Sequence, residues 1–360
     1  MIKIIDRYIS KEILDPFLFG LAAFTLILSA SMVMFELVRA VVLMGMPLSI
    51  AGRLFLFRLP SVIVYIFPMA MLLASILTFA RFSSDKEIIA FKAAGISLYR
   101  VIAPVLVIGF LVSLLTLAFY EIVVPESSKA TNSLLLETRM ERSPKMQENV
   151  FLPEIENGQL KRVFYARKLE GSTMEGVIIQ EFVDGRLNQL INAKTAQWIN
   201  DRWIFRDGIT YLLSDNGEYK HLIKFNEQQI TIKYSPSDFS TGEKKPDEMN
   251  YASLKKYIAL KKRMGAGTVD LEIQLNMKLA IPFACFVFTL LGAPLGLNPT
   301  RKSSSIGLGI SVIIIFVYYV LMFLGMAAGE LEMISPVWAA WLPNLVTGGI
   351  GGWILYKAGQ

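Results

Sequence analysis

Six stretches of about twenty residues, each free of interior charge, constrain this chain more than any other feature of its sequence. They run from Pro16 to Phe35, Leu59 to Ala80, Val101 to Tyr120, Leu279 to Leu297, Ile306 to Ala328 and Val337 to Tyr356. A helix of about 20 apolar residues crosses a hydrocarbon core of roughly 30 Å, and it satisfies its own backbone hydrogen bonds there. The first stretch is too long for a signal peptide and no convincing small-residue cleavage site follows it, so it is read as a span. Composition agrees: 54% of the 360 residues are hydrophobic and 18% charged, with a mean hydropathy of +0.48. A soluble domain does not normally bury that much apolar surface.

The runs fall three and three around a polar segment. The predicted fold class is an α-helical membrane protein of six transmembrane helices, 3+3, with an inserted extracytoplasmic all-β domain. Residues 1–125 hold the first three spans, 126–267 the inserted domain and 268–360 the last three. The basic residues of the short loops set the orientation. With the N-terminus in the cytoplasm, Lys3, Arg7, Lys11, Arg81, Lys86, Lys92, Arg100, Arg301, Lys302 and Lys357 lie inside, against Arg39, Arg53 and Arg58 outside. Both termini are therefore expected in the cytoplasm.

The polar segment carries 22 Lys plus Arg and 20 Asp plus Glu from Glu126 to Asp270, so the chain's net +6 is no sign of nucleic-acid binding. Its β-branched and aromatic stretches, such as "RVFYARKLEGS", "MEGVIIQEFVDG" and "IFRDGITYLLSDNG", are separated by turn signals at "EGS", "VDG", "RDG" and "DNG". That pattern predicts antiparallel strands over 150–236. After it, "MNYASLKKYIALKKRMG" changes to a period near 3.6 and predicts a basic connector helix over 250–264.

Chemistry is narrowed by what is missing. The chain has one His, His221, and one Cys, Cys285, which cannot build a His and Cys metal cluster or an intrachain disulfide. It has no G-x-x-x-x-G-K-[ST], H-E-x-x-H or G-x-S-x-G motif, so no nucleotide cradle or familiar hydrolase centre is expected, and no cofactor. The middles of the spans lack the charges that ion-coupled carriers place there. Transport would draw its energy from another protein.

The short loop "ARFSSDKEIIAFKAAGIS", Ala80 to Ser97, reads as a locally specified helix. Ser84 and Glu87 have the spacing of a capping box, Asp85 favours the positive helix start, and Gly95 suits a left-handed stop. The helix presents Ile88, Ile89 and Phe91, which fits either docking in a partner's groove or lying on the membrane interface.

In combination, "DRYISKEIL" at Asp6 to Leu14, "SSDKEIIAFKAAGIS" at Ser83 to Ser97, "YEIVVP" at Tyr120 to Pro125, and "LAIPFACFVFTLLGAPLGL" at Leu279 to Leu297 followed by "RKSSSIGLGI" resemble the LptF/LptG (YjgP/YjgQ) family. Its members are lipopolysaccharide-export permeases, the membrane subunits of an ABC transporter. The resemblance implies a transporter subunit rather than an enzyme, in the bacterial inner membrane, with a periplasmic β-jellyroll. It also implies a second such permease, a dimer of an LptB-like cytoplasmic ATPase, and LptC/LptA-like bridge proteins as partners. The helix over 83–97 would be the coupling helix, with Glu87 matching the family's acidic residue and Gly95 its terminal glycine.

The family's lipid path opens between spans one and five. Here Phe24, Leu28, Met32, Ile310, Ile314 and Val317 would line it, with Gly307, Gly309 and Gly325 allowing close helix approach. Arg39, Arg53, Arg58 and Lys278 form a basic collar suited to lipid phosphates, Lys278 standing where the family has a basic residue at the start of span four. Snorkelling anchors are the alternative reading of that collar. Span one departs from better-known members, offering Met32, Glu36 and Arg39 rather than a clearly placed lysine. An envelope scaffold and a lipid-modifying enzyme are the competing functions; the coupling helix separates export from the first, and the missing catalytic motifs argue against the second.

Overall fold

The computed structural model describes residues 4–142, 146–156, 159–183, 185–199, 202–214, 219–230, 246–263, 267–297 and 304–359. The chain divides into two compact units. One comprises Met1–Leu134, Pro246–Ile258 and Gly267–Gln360; the other comprises Leu135–Lys245 and Ala259–Ala266.

In the first unit, α1 (Ile4–Leu28), a π-helical turn (Ser29–Val33) and α2 (Met34–Met44) form one long rod. Gly45, at φ 59°, ends it. Pro47 then starts α3 (Leu48–Ser84), its carbonyl accepting the N–H groups of Ile50 and Ala51 at 3.0 Å each. The short α4 (Glu87–Ala93) follows, then α5 (Leu98–Arg142). At 45 residues, α5 is about 67 Å long, so the helix of the third span continues well past Pro125 and covers the first part of the segment read as β-domain. A 3-10 turn at Pro246–Glu248 leads into α6 (Tyr251–Arg263), of which the part to Ile258 belongs to this unit, and α7 (Val269–Gly296), α8 (Ser304–Glu330) and α9 (Pro336–Gly359) complete it. Lys3, Arg301 and Lys302, used to orient the chain, lie outside the described residues.

Among the described residues, five helical stretches are long and apolar enough to cross a membrane: Ile4–Val42, Leu48–Ser84, Leu98–Leu135, Val269–Gly296 and Ile306–Glu330. The sixth expected span is a helix of 24 residues, α9, but Pro343, Asn344, Thr347 and five glycines dilute its apolarity. These are packing residues: Ala339, Ala340, Pro343, Asn344, Thr347 and Gly351 are its buried side. A Cβ on Gly351 would sit 3.0 Å from the Leu291 backbone of α7. Asn344 is tied in by the Tyr318 hydroxyl, which donates to its Oδ1 at 2.9 Å, while its Nδ2 donates to the Ala280 carbonyl at 2.7 Å.

Apolar composition alone does not tell which spans are enclosed. The most apolar windows of α3 and α7 are 83% and 72% buried within the chain, against 17% for the α1–α2 rod and 22% for α8. Small residues make the α3–α7 contact close: a Cβ on Gly296 would meet the Ile76 carbonyl at 2.6 Å. The rod and α8 leave wide apolar surfaces to lipid or to partners.

The second unit holds six strands: β1 (Met146–Glu156), β2 (Gln159–Glu170), β3 (Thr173–Val183), β4 (Arg186–Ile199), β5 (Arg202–Leu213) and β6 (Tyr219–Ile230). They form one antiparallel sheet in sequential order. Two predicted turns are where expected, with Gly171 at φ 61° and Gly185 at φ 77°. "RDG" is a correction: Arg206, Asp207 and Gly208 lie inside β5. There Asp207 takes φ 52°, which an aspartate tolerates better than most residues. "DNG" and residues 231–236 fall outside the described residues.

Asp207 belongs to a crease that crosses the sheet. The pairing steps over Arg167, Gly176, Lys194 and Asp207 in successive strands. On one side of it the buried face carries Phe164, Ala166, Val177, Ile179, Ile191 and Ala193, and on the other Leu169, Met174, Ala196, Phe205 and Trp203. Burial therefore advances by three residues across the crease, as from Ala166 to Leu169, instead of the strand's usual two. One apolar face is kept continuous while the strands bend.

Candidate functional site: the coupling helix, the gate and the basic collar

The sequence from Arg81 to Ser97 folds as a corner rather than as a self-capped helix. Helix α3 continues through Ser84, the Asp85 N–H donates to the Arg81 carbonyl at 2.9 Å, and Lys86, at φ 61°, turns the chain. The capping box is not formed. Glu87 opens α4 instead of standing in its first turn's third position, no side chain caps the start, and Ser84 is exposed. The Glu87 carboxylate instead accepts the Tyr8 hydroxyl, 3.0 Å from each of its oxygens. At the other end the expected stop is present: Gly95 lies at φ 76°, its N–H reaching the Lys92 carbonyl at 3.0 Å and the Ile96 N–H the Phe91 carbonyl at 2.9 Å. This is a Schellman closure.

The three apolar side chains of α4 divide. Ile88 and Phe91 pack against a core that includes Ile9, Ile13, Phe82 and Leu98, while Ile89 is 64% exposed. Charges fasten the same corner. Arg81 bridges Glu12 and Asp85, the latter at 3.5 Å; Arg100 pairs with Asp6 at 2.7 Å. The Tyr8 ring stacks on Phe82 with centroids 5.8 Å apart, and Ser83 Oγ donates to the Leu297 carbonyl at 3.2 Å, tying the corner to the end of α7. Sequence reasoning expected a coupling helix here but missed Tyr8 as the partner of its Glu87, and Glu12 and Asp6 as partners of Arg81 and Arg100 in the helices on either side. The signal was present in "DRYISKEIL", where Tyr8 and Glu12 stand one helical turn apart.

Four of the six residues expected to line the gate pack against one buried cluster. Phe24 and Leu28 of α1, with Ile310 and Ile314 of α8, pack around Met69, Leu72, Ile76, Phe288, Ile315 and Tyr318. Met32 and Val317 are 56% and 50% exposed and stand outside that cluster. The π-helical turn at Ser29–Val33 falls between Leu28 and Met34, and such turns recur at functional positions in helices. Of the three glycines, Gly307 approaches Ile76 and Gly325 the Ala339 carbonyl, whereas nothing lies near Gly309.

The four residues expected to form the basic collar differ in setting. Arg39 and Arg53 are exposed. Arg58 is joined to Glu36 at 2.7 Å, an ion pair across the Gly45–Pro47 turn. Lys278 is buried, 2% exposed, with Nζ 4.3 Å from the centre of the Tyr120 ring. The carboxylates of Glu121 and Asp247 act on its charge. Glu121 also accepts the N–H of Tyr251, the first residue of α6, at 2.8 Å. "YEIVVP" thus supplies both the aromatic face and the acid that surround this lysine.

With that geometry in place, residues 7–357 match the sequence model of the family described as Lipopolysaccharide export system permease LptF/LptG. The chain belongs to the LptF/LptG family. It is accordingly a multi-pass inner-membrane permease of lipopolysaccharide export, a transporter subunit and not an enzyme. No curated protein sequence matches it. In this LptF/LptG permease the apolar face of the sheet is buried, with Phe164, Val177, Ile179, Trp203 and Phe205 packed in one cluster. That face ends at Arg162, which pairs with Glu181 at 2.7 Å and lies 3.8 Å from Glu154.

Proposed function

We propose that this chain is one of two LptF/LptG-type permeases that extract lipopolysaccharide from the outer leaflet of the inner membrane and pass it to LptC/LptA-like periplasmic bridge proteins. An LptB-like ATPase dimer supplies the energy. Both termini lie in the cytoplasm and the β-domain in the periplasm, which the distribution of basic loop residues supports. Lipid enters between α1 and α8, whose apolar surfaces are the least covered by the rest of the chain, and the acyl chains then part the sheet's apolar face, whose residues pack against one another when no lipid is bound. Arg39 and Arg53, the exposed collar cations, meet the lipid phosphates first; Arg58 and Lys278 already have neighbours within the chain.

The observation that carries this reading is α4: a seven-residue helix braced from behind by α1 and α3, with Ile89 left facing outward. A chain without a nucleotide motif gains a drive if that face docks in an ATPase groove. The double substitution Glu87→Arg with Ile89→Asp should release a co-expressed LptB-type ATPase while the permease stays inserted, because neither side chain is part of the buried core. ATPase copurification at the wild-type level would contradict the docking assignment and favour an envelope scaffold.

A further inference from the structure

We infer that Tyr8 is a positioning residue for energy coupling: its hydroxyl holds the Glu87 carboxylate and so makes the coupling helix and the first span move as one piece. The inference rests on the docking role proposed for α4 and adds what receives the movement.

The argument starts from where α1 is held. It is the first part of the least enclosed span, and its buried residues are Ile9, Ile13 and Gly20. Two of those three lie in the turns that face α4. Ile9 and Ile13 are 0% and 2% exposed and pack in the same core as Ile88 and Phe91. On the flank of that apolar seam, Tyr8 meets Glu87, Glu12 meets Arg81, and Asp6 meets Arg100. Three polar contacts therefore join the start of span one to the end of α3, the start of α4 and the start of α5.

Only one of the three reaches α4 itself. Arg81 and Arg100 belong to the long helices on either side of the corner, so Glu12 and Asp6 fix the frame. Tyr8 is the one of the three that bonds to the element that would carry the ATPase. Its hydroxyl is equidistant from both carboxylate oxygens, so the bond is charge-assisted and survives small rotations of Glu87. Its ring is held separately by Phe82, so removing the hydroxyl leaves the aromatic packing in place. Further along the same rod stand Phe24, Leu28 and the π-helical turn, so a shift of α4 passed to Tyr8 arrives at residues that pack on the same cluster as Ile310 and Ile314 of α8.

The test uses the full chain copurified with an LptB-type ATPase and reconstituted in nanodiscs containing lipopolysaccharide. Tyr8→Phe should retain ATPase capture within about twofold. Stimulation of hydrolysis by lipopolysaccharide should fall about tenfold, the factor a hydrogen bond to a charged group commonly carries. A spin label at Met32→Cys should lose its response to ATP; Cys285, the only other cysteine in that variant, is buried and does not compete for label. Glu87→Ala should cause a similar loss of stimulation, and the double variant should be no worse than either single one. Wild-type stimulation and label response in Tyr8→Phe, or additive losses in the double variant, would overturn the inference. Failure of the wild-type chain to capture the ATPase would instead remove the docking role of α4, and the inference with it.

Discussion

Lys278 shows how much a single residue's setting changes its reading. In the sequence it stands at the edge of an apolar run and resembles a headgroup ligand; in the fold it is enclosed, with Tyr120 against its charge and two carboxylates nearby. A long-range contact between α5 and α7 creates that setting, and no local pattern announces it. Lys278→Met keeps the apolar stem and removes the charge, so the fold should survive. Lys278→Glu places a third carboxylate near Glu121 and Asp247 and should cost about 3 kcal/mol more, since an uncompensated buried charge is expensive. Thermal unfolding in detergent separates the two, and equal midpoints would show that the site is hydrated. Gly95 and Ser84 make the complementary point. The glycine stop was legible because a left-handed residue needs only its own backbone, whereas the Ser84 cap was misread because α3, packed against α7, carries its helix through the serine.

At the scale of elements, apolar runs located the spans and turn signals between β-branched stretches located the strands, but burial among the spans follows small residues rather than apolarity. Gly296 and Gly309 look alike in the sequence. One faces the Ile76 carbonyl at contact distance and the other meets nothing. Gly296→Ala should therefore destabilise the chain by about 1–3 kcal/mol through overpacking. Gly309→Ala should be neutral or stabilising by up to about 1 kcal/mol through helix propensity. Paired detergent-melting curves check this, and a reversed order would mean that α3 and α7 are not in direct contact. Helix α9 was the weakest span for the same reason, its Asn344, Thr347 and Gly351 being spent on contacts with its neighbours. In the sheet, "RDG" deceived because Asp207 and Gly208 carry turn chemistry into a crease, where Phe225 lies close to Gly208 and leaves no room for a side chain.

For the molecule as a whole, the division into membrane spans and an inserted β-unit was legible from hydropathy alone, and family membership from four motifs taken together. The wiring between motifs was not. "DRYISKEIL" and "SSDKEIIAFKAAGIS" are separated by about seventy residues, and only folding brings Tyr8 to Glu87. In the function proposed here, ATP-driven export carries lipopolysaccharide acyl chains into the buried apolar face of the sheet, and the crease fixes which positions report it. Val177 and Ile179 point into that face, with Met174 next across the crease, while Ile178 is paired with Tyr165 and Asn192 on the opposite one. A photo-crosslinking residue at Val177 should capture lipopolysaccharide only during ATP turnover, in the chain reconstituted with its ATPase, and the same residue at Ile178 should capture little. Equal labelling at the two positions, or labelling at Val177 that is indifferent to ATP, would contradict the account.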